Sequence, residues 1–397
     1  MNLPGVKPLQ LLALFVGIIA ATNYKKSVKM PDYVRFFSLA MIAIFTISLI
    51  RSLSYLDLFN FYLDNKLSTQ RYLLSHFVKP LIFFMPLIIV VKFVYRKTDI
   101  EYLVNTLTLS ILILSVVITY LYFFKGLGKG DIETFREYFQ SIFSLHTNSI
   151  ANFYIMAFPF VIAKFFVKKN ILTISNIILS AMAIGMLYSR AAYLTCLLSF
   201  ISYFFLSRRT KFLPFLIAVA FGLFFIISSS VIERASKGIE SRDRNALFAG
   251  RIEKLWVPLI YEYTHDYKKL ILGNGRYAIR SSDVNKQGII REATHPHNMY
   301  LEQIIDAGLI GVVTFIAFYI ILLRKACKSL GNINDYKIKE HHYAVIVSLS
   351  CYLISGITDR SFFPDPANGF LWVVVGIAIV IIRMSQETAT SEGVNIN

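Results

Sequence analysis

The sequence predicts an all-α polytopic integral membrane protein, and three observations predict it. Of the 397 residues, 56% are hydrophobic and only 16% are charged, whereas a soluble domain of ordinary composition is about 25% charged. Apolar runs of roughly 17–24 residues, the length that crosses a hydrocarbon core, recur along nearly the whole chain. Lys and Arg cluster at alternate connections between those runs. Together these place eleven spans, near residues 8–22, 35–50, 73–95, 101–124, 149–167, 171–189, 190–206, 212–232, 299–323, 342–358 and 368–383. A twelfth would reverse the side of the N-terminus without moving the rest.

Each element has its own reason. Leu9 to Ala21 is preceded only by Lys7 and lacks a small-residue cleavage site, so it reads as a retained span. Lys25, Lys26, Lys29 and Arg35 follow it, and Arg96 with Lys97 follow the third span. Lys168 with Lys169, then Arg208, Arg209 and Lys211, then Arg324, Lys325 and Lys328 close the fifth, seventh and ninth. The positive-inside rule makes all these connections cytoplasmic and the N-terminus external. Ile171 to Leu206 is one apolar run broken only at Tyr188-Ser189-Arg190. A single helix of that length would overshoot the bilayer by about 20 Å, so two spans meeting near Arg190 fit better.

This divides the chain into N-terminal spans (1–232), one long external loop (233–298) and C-terminal spans with a cytoplasmic tail (299–397). The loop holds twelve Lys/Arg against eight Asp/Glu, which long translocated loops tolerate. The net charge of +17 is therefore a property of membrane topology, and no nucleic-acid partner is expected. Cys196, Cys327 and Cys351 have neither CxxC spacing nor a histidine set, so neither zinc nor a disulfide framework is expected.

Chemistry concentrates around Thr294-His295-Pro296-His297-Asn298, which leads directly into the ninth span. Pro296 suits a first helical position, with Thr294 or His295 as the cap. His297 then falls in the first turn, where the helix dipole disfavours imidazolium and leaves a ring able to act as a general base. Gly308 lies eleven residues on, close to the same helix face, where a glycine would let another helix approach. The same pattern also fits histidines solvated by lipid headgroups. Arg190, beside a membrane boundary, is either a snorkelling anchor or a functional cation. Gly250-Arg251, with Trp256 and the Leu272-Gly273-Asn274-Gly275 turn, combines a phosphate-binding type of side chain with close backbone access. Asp359-Arg360 reads as a structural ion pair.

Taken in order, these features resemble the O-antigen ligase family, whose wider superfamily includes O-antigen polymerases. Arg190 to Leu194 gives Arg-x3-Leu, and His297 to Gly308 gives His-x10-Gly within His-x-His-Asn-x-Tyr-Leu-Glu. Gly250-Arg251, Trp256 and the Leu-Gly-x-Gly turn resemble the loop segment that precedes that histidine, and the match covers about residues 180–325. The resemblance implies a GT-C-like glycosyltransferase of the Gram-negative inner membrane with about 11–12 spans. Its partners would be an undecaprenyl-diphosphate-linked glycan, a lipid A–core acceptor and membrane lipids, with no metal or other cofactor. On this reading His297 is the base, and Arg190 and Arg251 hold the diphosphate. His295, Asn298 and Tyr300 orient the base or sugars, and Arg276, Arg280 and Arg291 are further phosphate contacts. Gly308, Leu194 and Trp256 are structural. The alternatives are a polymerase with the same donor, and a glycolipid transporter or flippase. The latter would call for buried ionisable residues or inverted repeats in the spans.

Overall fold

A computed structural model describes residues 28–61, 67–124, 132–143, 145–212, 214, 250–290, 295–359 and 361–391. The expected spans 8–22 and 212–232 lie wholly or almost wholly outside the described residues, and Arg291 lies outside them too. All regular structure among the described residues is helical. Six of these helices are long and apolar enough to cross a membrane: Asp32–Leu53, Thr69–Phe93, Lys97–Phe124, Thr147–Val167, Met299–Asn332 and Pro366–Glu387. Ile171–Met186 and Ala191–Leu206 are shorter apolar helices. Tyr336–Asp359, which holds the expected span 342–358, is helical throughout. It stands outside that set of six. The class is therefore an α-helical polytopic membrane protein.

The chain folds as two units that interleave in sequence. The first comprises residues 1–95, 244–321 and 356–376. Its helices are α1 (Asp32–Leu53), α2 (Leu56–Phe61) and α3 (Thr69–Phe93). The loop between spans adds α9 (Val257–Thr264), α10 (Tyr267–Leu272) and α11 (Asp283–Lys286). It also takes the leading part of α12 (Met299–Ser329), the end of α13 (Tyr336–Asp359) and the start of α14 (Gly369–Ser391). The loop helices close on their own apolar cluster of Leu255, Leu259, Tyr263, Ala278, Ile279, Val284 and Ile290. Leu301 and Ile305 of α12 join it.

The second unit comprises residues 96–243, 322–355 and 377–397. Its helices include α4 (Lys97–Phe124), α5 (Ile132–Phe143), α6 (Thr147–Val167), α7 (Ile171–Met186) and α8 (Arg190–Leu206). α4 packs on α6 and α7, and α6 on α7 and α8. Asn170 starts α7 with a reciprocal capping box to Thr173. The predicted break between the sixth and seventh spans is real: α7 ends at Met186, Tyr188 turns left-handed with φ 53°, and α8 begins at Arg190. Polar side chains bind these helices where water is absent. Ser115 Oγ meets Tyr154 Oη at 2.9 Å, and Asn176 donates to the Thr108 carbonyl at 3.0 Å.

Candidate functional site

The site is built at the N-terminal end of α12. Asn298 Oδ1 accepts from the Tyr300 and Leu301 amides at 3.0 Å each, and the Asn298 carbonyl accepts from Glu302 at 2.8 Å. Asn298 is thus the N-cap, which corrects the cap expected at His295; Thr294, the other candidate, lies outside the described residues. An Asn carboxamide caps better than either, and Pro296 lies ahead of the helix instead of within it. His297 consequently stands outside the first turn, at φ 53°. Trp256 Nε1 donates to the Pro296 carbonyl at 2.7 Å. The His295 and His297 rings touch, with centroids 3.8 Å apart, and both residues are half-buried.

Gly308 interrupts α12 with φ 71° and ψ −172°, a conformation open essentially to glycine alone. Such a break frees carbonyls in the preceding turn, and the loop occupies them. Asn274 N–H donates to the Ile305 carbonyl at 2.8 Å and Gly275 N–H to the Asp306 carbonyl at 3.0 Å. A Cβ at Gly308 would collide with the Ile271 carbonyl and the Gly273 amide. One at Gly273 would collide with the backbone of Asp306 and Ala307. The two glycines therefore let two backbones touch. This corrects the expected role of Gly308: the break destroys the helical register with His297, and the partner admitted is the end of α10 and the turn after it. α1 clasps the same turn from its other side. Arg51 Nη1 donates to the Leu272 carbonyl at 2.7 Å, and the Arg276 amide donates to the Ser48 carbonyl at 2.9 Å. Just beyond α1, Tyr55 Oη lies 3.0 Å from the carbonyls of Asn274 and Arg276.

A buried ion triad lies at this junction. Arg276, 7% exposed, donates from Nη1 to Glu302 Oε1 and Asp306 Oδ2, each at 2.7 Å. Its guanidinium is 4.3 Å from each of the Tyr277 and Phe363 ring centroids. Asp306 Oδ1 also accepts from the Ala278 amide at 3.1 Å. Arg276 was expected to contact phosphate; here it faces two carboxylates and braces the loop onto α12. Sequence reasoning missed Glu302 and Asp306. Their only trace was an i, i+4 carboxylate pair at the mouth of an apolar run. Nearby Asp365 accepts from the Asn368 amide. Burial, seconded by the Glu302 charge, pushes its carboxyl up to about 6.

The other expected residues are placed as follows. Arg251 leads into a π-helical turn, Ile252–Trp256, and its Nη1 donates to the Thr358 carbonyl at 2.8 Å. Arg280 is buried in the 3-10 turn Ala278–Ser281. The Tyr300 ring meets Phe362 edge-on at 5.5 Å. Arg190 is the first residue of α8, and its side chain lies outside the described residues, as do Arg360 and the side chain of Asp359. Leu194, one turn further along α8, is exposed. The first unit thus brings Trp256 onto the turn that holds His295, His297 and Asn298, and it seats Arg276 against Glu302 and Asp306 of the helix that follows.

An α-helical multi-pass membrane protein with a loop docked against a His-x-His-Asn turn is the class these features define. Residues 175–316 match the model of the O-antigen ligase family. That stretch contains Arg190, Arg251 and the whole of His297–Gly308, and the match supports the O-antigen ligase family that the motifs implied. A search of curated proteins finds no match. The match supports the O-antigen ligase/polymerase superfamily, and proteins of the matched family are glycosyltransferase-like enzymes.

Proposed function

We propose that the protein is an O-antigen ligase. It transfers a preassembled polysaccharide from undecaprenyl diphosphate to a sugar hydroxyl of lipid A–core, on the periplasmic face of the Gram-negative inner membrane. The observation that carries this reading is the family match over residues 175–316, a stretch that includes Arg190, Arg251 and His297. His297 removes the proton from the acceptor hydroxyl, whose oxygen attacks the anomeric carbon. The bond from that carbon to the diphosphate oxygen breaks, and the electron pair leaves with undecaprenyl diphosphate. Arg190 and Arg251 compensate the charge that develops there. Direct attack inverts the anomeric carbon. Arg251, fixed by the Thr358 carbonyl at 2.8 Å, has the preorganisation such a role requires.

The test is a deletion strain together with reconstitution of the purified chain with lipid-linked glycan and each acceptor. Lipopolysaccharide lacking O-antigen, with lipid-linked polymer accumulating, is expected. Core bearing a single repeat would make the chain a polymerase, and accumulation on the cytoplasmic face would make it a flippase. In the reconstituted system His297→Ala abolishes transfer while donor binding persists. Arg190→Lys and Arg251→Lys lose most activity, because an ammonium does not reproduce the guanidinium fork. Wild-type transfer by His297→Ala would remove the base assignment.

A further inference from the structure

His297 is one of only four non-glycine positions with positive φ among the described residues. A left-handed backbone at such a residue is uncommon and costs free energy, so it persists only where the surroundings over-determine it. Both flanks of His297 are held. On one side Trp256 Nε1 fixes the Pro296 carbonyl at 2.7 Å, which orients the peptide plane that enters His297. On the other, Asn298 Oδ1 takes the Tyr300 and Leu301 amides, which fixes where the helix starts. Trp256 is itself anchored, because it packs on the loop's apolar cluster and ends the π-helical turn that Arg251 leads into. Single π turns of this kind recur at functional sites.

We infer that Trp256 and Asn298 are positioning residues: together they hold His297 in its left-handed conformation and so aim its imidazole out of the helix end. Trp256 does so through its indole N–H, beyond its packing. Asn298 does so as a cap through Oδ1, which gives a geometric form to the base-orienting one of its two expected roles. This rests on the reading of His297 as the base. The geometric claim stands separately, because it concerns a backbone conformation. The physical consequence is steep, since displacing a reacting group by about 1 Å costs on the order of 100-fold in rate.

The experiment uses the full chain in lipid nanodiscs, with three variants and two readouts. Trp256→Phe keeps an aromatic ring and deletes the donor. We expect kcat to fall about 10- to 100-fold, with KM for the lipid-linked donor within about 2-fold and thermal stability close to wild type. Asn298→Ala should behave likewise, and Asn298→Asp should restore most of kcat, because Asp caps as well as Asn. An Asn298→Asp variant as slow as Asn298→Ala would show that the side-chain amide, and not the cap, matters, and would overturn the inference for Asn298. Full kcat in Trp256→Phe would overturn it for Trp256. The second readout is the structure of the Trp256→Phe variant by electron cryomicroscopy. His297 retaining positive φ there sinks the inference whatever the activity, and relaxation to a right-handed or extended conformation supports it. His297→Ala in the same preparation tests the base assignment alone, so the two ideas fail separately.

Discussion

Replacing Gly308 with alanine should detach the loop from α12. Three contributions act together. An L residue forced to φ 71° and ψ −172° costs about 1–3 kcal/mol. The new Cβ would overlap the Ile271 carbonyl and the Gly273 amide, both backbone atoms with no side-chain torsion to yield. Relieving that overlap moves the turn away and stretches two hydrogen bonds, from Asn274 to Ile305 at 2.8 Å and from Gly275 to Asp306 at 3.0 Å. Each bond contributes about 1 kcal/mol net. The total destabilisation is about 4 kcal/mol, and in a chain of this size that lowers the melting temperature by about 5 °C. The assay is thermal unfolding of purified protein, with transfer activity measured in parallel. Gly331→Ala is the control, because a Cβ there meets nothing within 4 Å and its φ is unremarkable. If Gly308→Ala melts with Gly331→Ala and wild type, backbone contact between the turn and the broken helix does not hold this region together.

Three further outcomes follow from the buried charges. Arg276→Met leaves Glu302 and Asp306 buried without their cation and should destabilise by about 3–5 kcal/mol, whereas Glu302→Gln keeps a neutral Arg276–Asp306 pair and should fold normally; expression and melting temperature distinguish them. Asp365, whose carboxyl is raised to about 6, binds a proton more tightly when folded than unfolded. Stability therefore falls as pH rises from about 4 to 6, and Asp365→Asn, which still accepts from Asn368, should remove that slope and add up to about 3 kcal/mol at pH 7. In the second unit, Glu340 accepts from Tyr203 Oη at 2.6 Å and Arg209 Nη1 at 2.7 Å. Arg209→Ala should cost about 3 kcal/mol in thermal unfolding, and Arg209→Ala with Glu340→Gln should recover most of it.

The helices were legible because hydrophobic periodicity and length act locally. Tyr188-Ser189-Arg190 was readable as a break because polar residues interrupted an apolar run too long for one crossing. The candidate residues were legible by motif, since His-x-His-Asn and Gly308 kept their spacing. Their geometry was not. A helix start depends on which side chain wins the free amides, and Asn298 outcompeted the earlier candidates by one hydrogen-bond pattern that sequence does not rank. Gly308 looked like a packing residue because helical phase assumes an unbroken helix. Arg276 looked like a ligand for phosphate because its partners, Glu302 and Asp306, lie 26 and 30 residues away and meet it only once the loop folds back.

The order of synthesis gives the interleaved first unit a particular vulnerability. Arg276 emerges with its carboxylates soon after it, yet Phe363, whose ring also lies against it, is made only after residues 322–355, which belong to the second unit. During that interval the guanidinium and its two acids stand at a half-roofed junction. A chain cut before residue 356 thus lacks the Phe363 ring that lies over the Arg276 guanidinium. The last crossings act as a closing signature on a structure begun several helices earlier.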